Sequence, residues 1–203
     1  MTAALHADAV RLLAGWQPPS PDQDSLRQAF LSYLAARSDA CRRSCVPGHL
    51  TASMALIDAA GERVLLTLHP RVGRWLQLGG HCEDADATLA GAALREGTEE
   101  SGIEGIAIDP RPLHLAVHPI TCSLGVPTRH LDVRFLGVAP PGAAPRSSAE
   151  SLDLRWWPLG SLSTAPTVAP DVAVLAELAT ARLASARLAS ARAHLAEDVE
   201  FPS

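Results

Sequence analysis

Residues 79–103 read GGHCEDADATLAGAALREGTEESGI, and the interpretation of the whole chain begins there. A glycine pair follows an apolar run that predicts a strand, and a polar loop leads into a helical pattern over residues 88–101. Thr88 is suited to cap the start of this helix, and Gly102 is suited to the left-handed position just past its end. A strand, a glycine loop and a helix that carries several charges together indicate a functional site.

Three carboxylates share one face of the predicted helix, because Glu99 and Glu100 follow Glu96 at spacings of three and four residues. Like charges at these spacings repel by about 0.2–0.5 kcal/mol per pair. The sequence contains no lysine to relieve the repulsion. Arg95 can reach Glu99 four positions on and hold that carboxylate. A hard divalent cation, Mg²⁺ or Mn²⁺, fits the remaining oxygens.

A solvated acidic surface is the alternative for such a helix face, since charged helix faces are common. The other positions of the helix favour a site, because small residues crowd them and predict close packing. These small residues are Ala90, Gly91, Ala92, Ala93 and Gly97.

The second half of this stretch resembles the signature of the Nudix hydrolases. The matching positions are Arg95, Glu96, Glu99, Glu100, Gly102 and Ile103. The resemblance extends more loosely from about residue 50 to about residue 162, including RWWPL at residues 155–159. Two departures stand out. The loop is one residue longer than in the family's signature, so the position of the family's first glutamate falls on Ala87, and Asp86 is the nearest carboxylate. In the helix, Gly97 replaces the apolar residue that usually follows Arg-Glu.

The resemblance implies an α/β (α+β) fold, a Nudix-like α/β/α sandwich with a mixed β-sheet, here with added N-terminal helices and a C-terminal helix. It implies a metal-dependent pyrophosphohydrolase (pyrophosphatase) acting on a nucleoside diphosphate derivative: a nucleotide sugar, ADP-ribose, a dinucleoside polyphosphate or an NTP. By the same resemblance the catalytic residues are Arg95, Glu96, Glu99 and Glu100, and the three glutamates with the carbonyl of Gly80 bind Mg²⁺ or Mn²⁺. A noncatalytic Nudix-like nucleotide-binding or sensor module is the alternative. The chain retains the carboxylates of the signature, which favours the enzyme.

Outside this motif, five residues are predicted to bind substrate. Two arginines precede Trp75 and suit phosphate, two histidines are candidates for contact with substrate or metal, and Asp132 shares a strand face with the second histidine. These five residues are Arg71, Arg74, His81, His130 and Asp132. The resemblance also implies that a late carboxylate, Glu150 or Asp153, joins the site, and the sequence does not choose between them.

The remaining pattern divides the chain into three parts: an N-terminal helical extension (1–46), a Nudix hydrolase domain (47–165) and a C-terminal helix and tail (166–203). Within them we predict helices at 7–13, 24–36 and 171–198, a β-hairpin of 51–57 and 63–68, and strands at 113–117, 130–138 and 152–157. Pro110, Pro112 and Pro119 are expected to bound the strand at 113–117. The alanine-rich final helix is predicted to pack on the domain or against a second copy in a homodimer.

Composition excludes several functions. The chain has 203 residues with 47% hydrophobic and 19% charged, which suffices for a packed core. All 17 basic residues are arginine, so Schiff-base and pyridoxal-phosphate chemistry are excluded. A net charge of −5 argues against nucleic acid as the principal partner.

Cysteine usage and the start of the chain predict a soluble, cytoplasmic protein with no membrane span. The four cysteines, Cys41, Cys45, Cys82 and Cys122, are scattered and are expected to be free thiols. His49 alone does not complete a zinc site with Cys41 and Cys45.

Overall fold

The computed structural model describes residues 3–121, 125–146 and 152–197, with side chains as far as residue 190. Two helices come first, and a third lies between the fourth and fifth of seven strands. A 3₁₀ helix and a long fourth helix close the chain. The elements are α1 (Ala3–Gly15), α2 (Pro21–Ala36), β1 (His49–Ile57), β2 (Arg63–Leu68), β3 (Trp75–Leu76), β4 (Leu78–His81), α3 (Leu89–Ser101), β5 (Ala107–Thr121), β6 (Pro127–Val138), β7 (Leu154–Pro158), the 3₁₀ helix (Leu159–Thr164) and α4 (Pro170–Glu197).

One mixed sheet of seven strands organises the molecule around β1. All nine residues of β1 are buried, as expected for a strand covered on both faces. One edge of β1 pairs in parallel with β6 along its whole length, from His49 opposite His130 to Ile57 opposite Val138. Its other edge pairs antiparallel with β4 near the start and with β2 near the end. The start of β1 therefore lies between β6 and the glycine pair of β4.

Helices cover both faces of the sheet, which confirms the α/β/α sandwich. One hydrophobic cluster joins α1, α2 and α3 to the face of β1 that carries Leu50, Ala52 and Met54. A second cluster joins α4 to the far end of the opposite face. The N-terminal helices thus share a core with the sheet.

The predicted helices and the hairpin are confirmed, with helix ends shifted by a few residues. The prediction that prolines bound the strand at 113–117 was wrong, because β5 runs through all three of them. The first two lie where the pairing with β6 is irregular, between Asp109 and His114. A strand at the sheet edge tolerates proline, since its outward positions need no ladder hydrogen bond.

The outer edge of β5 is partly covered by α2. The side-chain amide of Gln23 donates to the carbonyl of Leu115 at 3.0 Å, and its oxygen accepts the Leu115 N–H at 2.6 Å. Gln23 therefore pairs with one residue of the edge as a neighbouring strand would.

Helix α4 packs on the domain through its first half, where Val172, Leu175 and Ala179 are buried. Further along, Arg187 donates to the carbonyls of Ala59 and Ala60 in the hairpin turn, while Leu188 is 62% exposed. Within the parts of the chain that the structure describes, no helix is both long and apolar enough to cross a membrane.

A buried carboxylate joins α1 to the start of α3. Asp8 accepts the Leu89 N–H at 2.9 Å through one oxygen and pairs with Arg11 at 2.7 Å through the other. The first N–H groups of a helix have no partner within the helix, so a residue of the N-terminal segment here satisfies one of them.

Asp8→Ala should lower the free energy of unfolding by about 1–2 kcal/mol, because it leaves a buried helix N-terminus without its acceptor. Urea denaturation followed by circular dichroism measures the change. Glu104→Ala, at an exposed position, is the control and should stay within about 0.5 kcal/mol of wild type. Equal stability of the two variants would contradict the capping role.

Candidate active site

Helix α3 begins and ends as the sequence predicts. The Thr88 hydroxyl accepts the Gly91 N–H at 3.0 Å. Gly102 lies in the left-handed region with φ of 63°, and its N–H bonds to the carbonyl of Thr98. Both ends of the helix are therefore fixed by side-chain or backbone caps.

Two glycines allow α3 to lie close to the sheet. A Cβ at Gly97 would come within 2.7 Å of the Met54 Cε, so the space of the usual apolar residue is filled from β1. A Cβ at Gly80 would lie 2.7–2.8 Å from the Glu96 carboxylate. The departure at Gly97 thus has a packing reason, and Glu96 lies directly against the glycine pair.

Arg95 connects the helix, the loop and the end of β4. Its Nη2 donates to the His81 carbonyl at 2.9 Å, and its Nη1 donates to Glu96 at 3.1 Å and to Glu99 at 3.0 Å. Although burial lowers the pKa of Arg95, its hydrogen bonds to Asp86 and the nearby carboxylates raise that pKa above its ordinary value. Arg95 stays charged and partly balances the acidic helix face.

Asp86 is the carboxylate of the lengthened loop, and both its oxygens contact Arg95. Arg95 Nε lies 3.1 Å from Oδ1 and Nη2 lies 3.0 Å from Oδ2. The Glu83 N–H also donates to Oδ2 at 2.7 Å, and the Asp86 side chain is only 6% exposed. The structure therefore places Asp86 as a support for Arg95.

The three glutamates face different neighbours. Glu100 accepts the Gly79 N–H at 2.9 Å, Glu96 lies against Gly80, and Glu99 is 60% exposed beside Arg95. Among the residues that the structure describes, these carboxylates are not gathered as closely as three ligands of one ion. They line the side of α3 that meets the glycine pair.

Three histidine rings, in contrast, lie close together. His49, His81 and His130 offer ring nitrogens that all lie within 4.8 Å of one another. Burial and His130 lower the pKa of His81 to about 3, and burial and His49 lower the pKa of His130 to about 4. Burial also lowers the pKa of His49. All three rings are therefore uncharged at neutral pH.

Sequence reasoning included His81 and His130 among the substrate-binding residues but missed His49. Its position follows from the parallel pairing of β1 with β6, which sets His49 opposite His130. Sequence analysis could have found His49 only by predicting that β1 and β6 pair in parallel.

Asp132 lies on the same strand face as His130 but is engaged by the protein. It accepts hydrogen bonds from Thr51 at 3.1 Å and Ser53 at 2.8 Å. Arg134, itself 1% exposed, donates to it at 2.9 Å. Burial would raise the pKa of Asp132, but the charge of Arg134 holds it below its ordinary value. Asp132 therefore stays ionised beside the hydroxyl groups of Thr51 and Ser53 on β1.

The other predicted residues that the structure describes lie in loops. Arg71 is exposed in the turn after β2, and its charge contributes to the lowered pKa of His81. Arg74 reaches the carbonyls of Pro166 and Val168 at 3.5 Å. Asp153 pairs with Arg155 at 2.9 Å, while Glu150 lies outside the described residues. Substrate binding by these residues stays a prediction.

Comparison with known proteins agrees with this fold. The family model of the NUDIX domain matches residues 47–178. A Nudix-family hydrolase from Clostridium perfringens has a TM-score of 0.56 at 23% identity, over 66% of this chain and 97% of that one. The Ap4A hydrolase of C. elegans, in a binary complex, has a TM-score of 0.51 at 21% identity, over 67% and 98%.

The Nudix domain of Shewanella oneidensis NrtR, complexed with ADP ribose, has a TM-score of 0.50 at 24% identity, over 75% of this chain and 97% of that one. No curated protein matches the chain. Because the family model spans more than half of the sequence, the chain belongs to the Nudix family. It is a hydrolase of the kind that acts on pyrophosphate bonds.

Asp86→Asn should lower stability by about 1–3 kcal/mol, because a buried charge-assisted pair with Arg95 is weakened. It should lower kcat less than Glu100→Gln does, since Asp86 acts through Arg95. Thermal unfolding and steady-state kinetics measure the two effects. Asp84→Asn, an exposed position in the same loop, is the matched control, and losses of kcat as large as those of Glu100→Gln would contradict a purely supporting role.

Proposed function

We propose that the chain is a metal-dependent pyrophosphohydrolase that uses Mg²⁺ or Mn²⁺ to cleave the diphosphate linkage of a nucleoside diphosphate derivative. The observation that carries the proposal is the contact between α3 and the glycine pair. Glu96 lies against Gly80, and Glu100 accepts the Gly79 N–H at 2.9 Å. Two carboxylates of α3 therefore lie beside main-chain groups of β4.

The chemistry of these donors fits a hard divalent cation. Carboxylate and carbonyl oxygens are the ligands that Mg²⁺ and Mn²⁺ prefer. Glu99 and Glu100 with the Gly80 carbonyl would hold the ion, and Glu96 lies next to them. When bound, such an ion supplies Lewis-acid polarisation of the phosphoryl group and screens its charge.

Residues of the protein would supply the other catalytic roles. Glu96 would orient a water molecule toward the phosphorus and accept its proton, as the family resemblance implies. Arg95 holds the carboxylates in place, because its Nη1 contacts Glu96 and Glu99 while its other nitrogens are fixed by Asp86 and the His81 carbonyl. Arg71 is exposed, and its charge contributes to the lowered pKa of His81. It would contact the substrate phosphates through its planar guanidinium.

The substrate class is a diphosphate joined to a nucleoside and to a second group. ADP ribose and Ap4A are named for two proteins that share the fold. They therefore belong in a screen with a nucleotide sugar and a nucleoside triphosphate, which reads the release of phosphate or of nucleoside monophosphate.

We place the enzyme in the cytoplasm on the basis of its thiols. Cys41, Cys45 and Cys82 are free, and reduced cysteines are typical of that compartment. Cys122, also expected to be a free thiol, lies outside the described residues.

Hydrolysis should stop in EDTA and return when Mg²⁺ or Mn²⁺ is added. Millimolar Mn²⁺ should also raise the Tm of the wild type, because a ligand that binds only the folded state stabilises it by mass action. Product release and differential scanning fluorimetry measure the two effects. Full hydrolysis in chelator would refute the metal dependence.

Glu99→Gln and Glu100→Gln should each remove most of kcat while leaving the metal-free fold intact. Each change deletes one of several repelling charges, so stability should hold or rise by about 0.2–0.5 kcal/mol. The amide oxygen that Glu100→Gln introduces can still accept the Gly79 N–H. Glu177→Gln, on α4, serves as control. A wild type that binds the whole panel tightly with Mg²⁺ but cleaves none of it would favour a noncatalytic module.

A further inference from the structure

We propose that His49, His81 and His130 form a second metal site that binds a late first-row transition metal, with Zn²⁺ as its principal ion. This site is separate from the carboxylates of α3 and does not depend on the proposed hydrolysis. The three rings come from three different strands, and their ligand nitrogens all lie within 4.8 Å of one another.

Strand register brings the three rings to one face of the sheet. His49 lies opposite His130 in the parallel pair of β1 and β6, and His81 lies opposite Thr51 in the antiparallel pair of β1 and β4. Paired residues project to the same side, and so do residues two apart on one strand. Ring centroids are 4.8–5.1 Å apart as a result.

His49 provides an independent sign of a missing partner. It is 1% exposed, and its Nε2 is buried without a hydrogen-bond partner. Its Nδ1 lies 3.3 Å from the carbonyl oxygen of Cys45. Because a carbonyl can only accept, Nδ1 carries the proton and Nε2 presents a lone pair. A backbone carbonyl that fixes the tautomer in this way is typical of metal-binding histidines.

His130 shows the same deficit, since its Nε2 is also buried without a hydrogen-bond partner. Buried polar atoms without partners are rare and costly in folded proteins. A metal ion bound to the Nε2 atoms of His49 and His130 would satisfy both nitrogens at once.

The donor type selects the metal. Three neutral imidazoles suit Zn²⁺ and its neighbours, whereas Mg²⁺ and Mn²⁺ prefer oxygen. His81 and His130 are only partly buried, so an ion can enter from their side, and three protein ligands leave one position open. Arg43 opposes the ion, because its charge contributes to the lowered pKa of each ring.

The test measures Zn²⁺ binding to chelator-treated protein by calorimetry, and Co²⁺ binding by visible absorption, which distinguishes a tetrahedral nitrogen site from a six-coordinate oxygen site. Wild type should bind one Zn²⁺ at this site and give the tetrahedral Co²⁺ spectrum. Because the metal would join β1, β4 and β6, Zn²⁺ should also raise the Tm.

His81→Gln and His130→Gln should each weaken Zn²⁺ binding more than about tenfold, since even outer partners of a metal ligand contribute about 10–100-fold. Both positions are partly exposed, and circular dichroism of the metal-free variants reports the fold. His6→Gln, on α1 with its ring bonded to the Leu34 carbonyl at 3.0 Å, is the matched control and should bind Zn²⁺ as wild type does. Arg43→Gln should bind slightly more tightly.

Glu100→Gln separates the two sites, because it should lose hydrolysis but keep the tetrahedral Co²⁺ spectrum. Failure of hydrolysis in the wild type would therefore leave the histidine site standing. The proposal is overturned if wild type binds no Zn²⁺, or if the His81→Gln, His130→Gln double variant binds it as tightly as wild type.

Discussion

The arrangement of the candidate active site depends on the guanidinium of Arg95. Arg95 contacts both oxygens of Asp86 in the loop, the His81 carbonyl at the end of β4, and two glutamates of its own helix. The sequence contains no lysine, and a lysine could not replace this arginine, because only a planar fork can serve several acceptors in fixed directions. The positions of the glycine pair, the loop and the carboxylates are therefore coupled through one side chain.

Local chemistry explains what the sequence predicted well. Thr88 and Gly102 fix the ends of α3 through caps that involve residues within four positions, and the spacing of Glu96, Glu99 and Glu100 follows from helix geometry. The hairpin of β1 and β2 likewise depends on a short turn. Such features need no knowledge of distant contacts, so sequence alone is sufficient for them.

The features that sequence analysis missed depend on long-range pairing. His49 meets His130 only because β1 and β6 pair in parallel, and nothing local to either histidine indicates this register. The course of β5 through its prolines depends on its place at the sheet edge. Asp86 could be named as the nearest carboxylate, but its contact with Arg95 depends on how the lengthened loop turns at Glu83.

The pairing of Gln23 with Leu115 has a consequence for self-association. An open strand of fifteen residues offers a row of unsatisfied donors and acceptors to which extended segments of other molecules can add, as in amyloid growth. Gln23 occupies one donor and one acceptor in the middle of that row, and α2 lies alongside. A shortened chain that began at β1 would lack α2, so the N–H and carbonyl of Leu115 that Gln23 binds would be exposed at the sheet edge, where an unpaired strand favours aggregation.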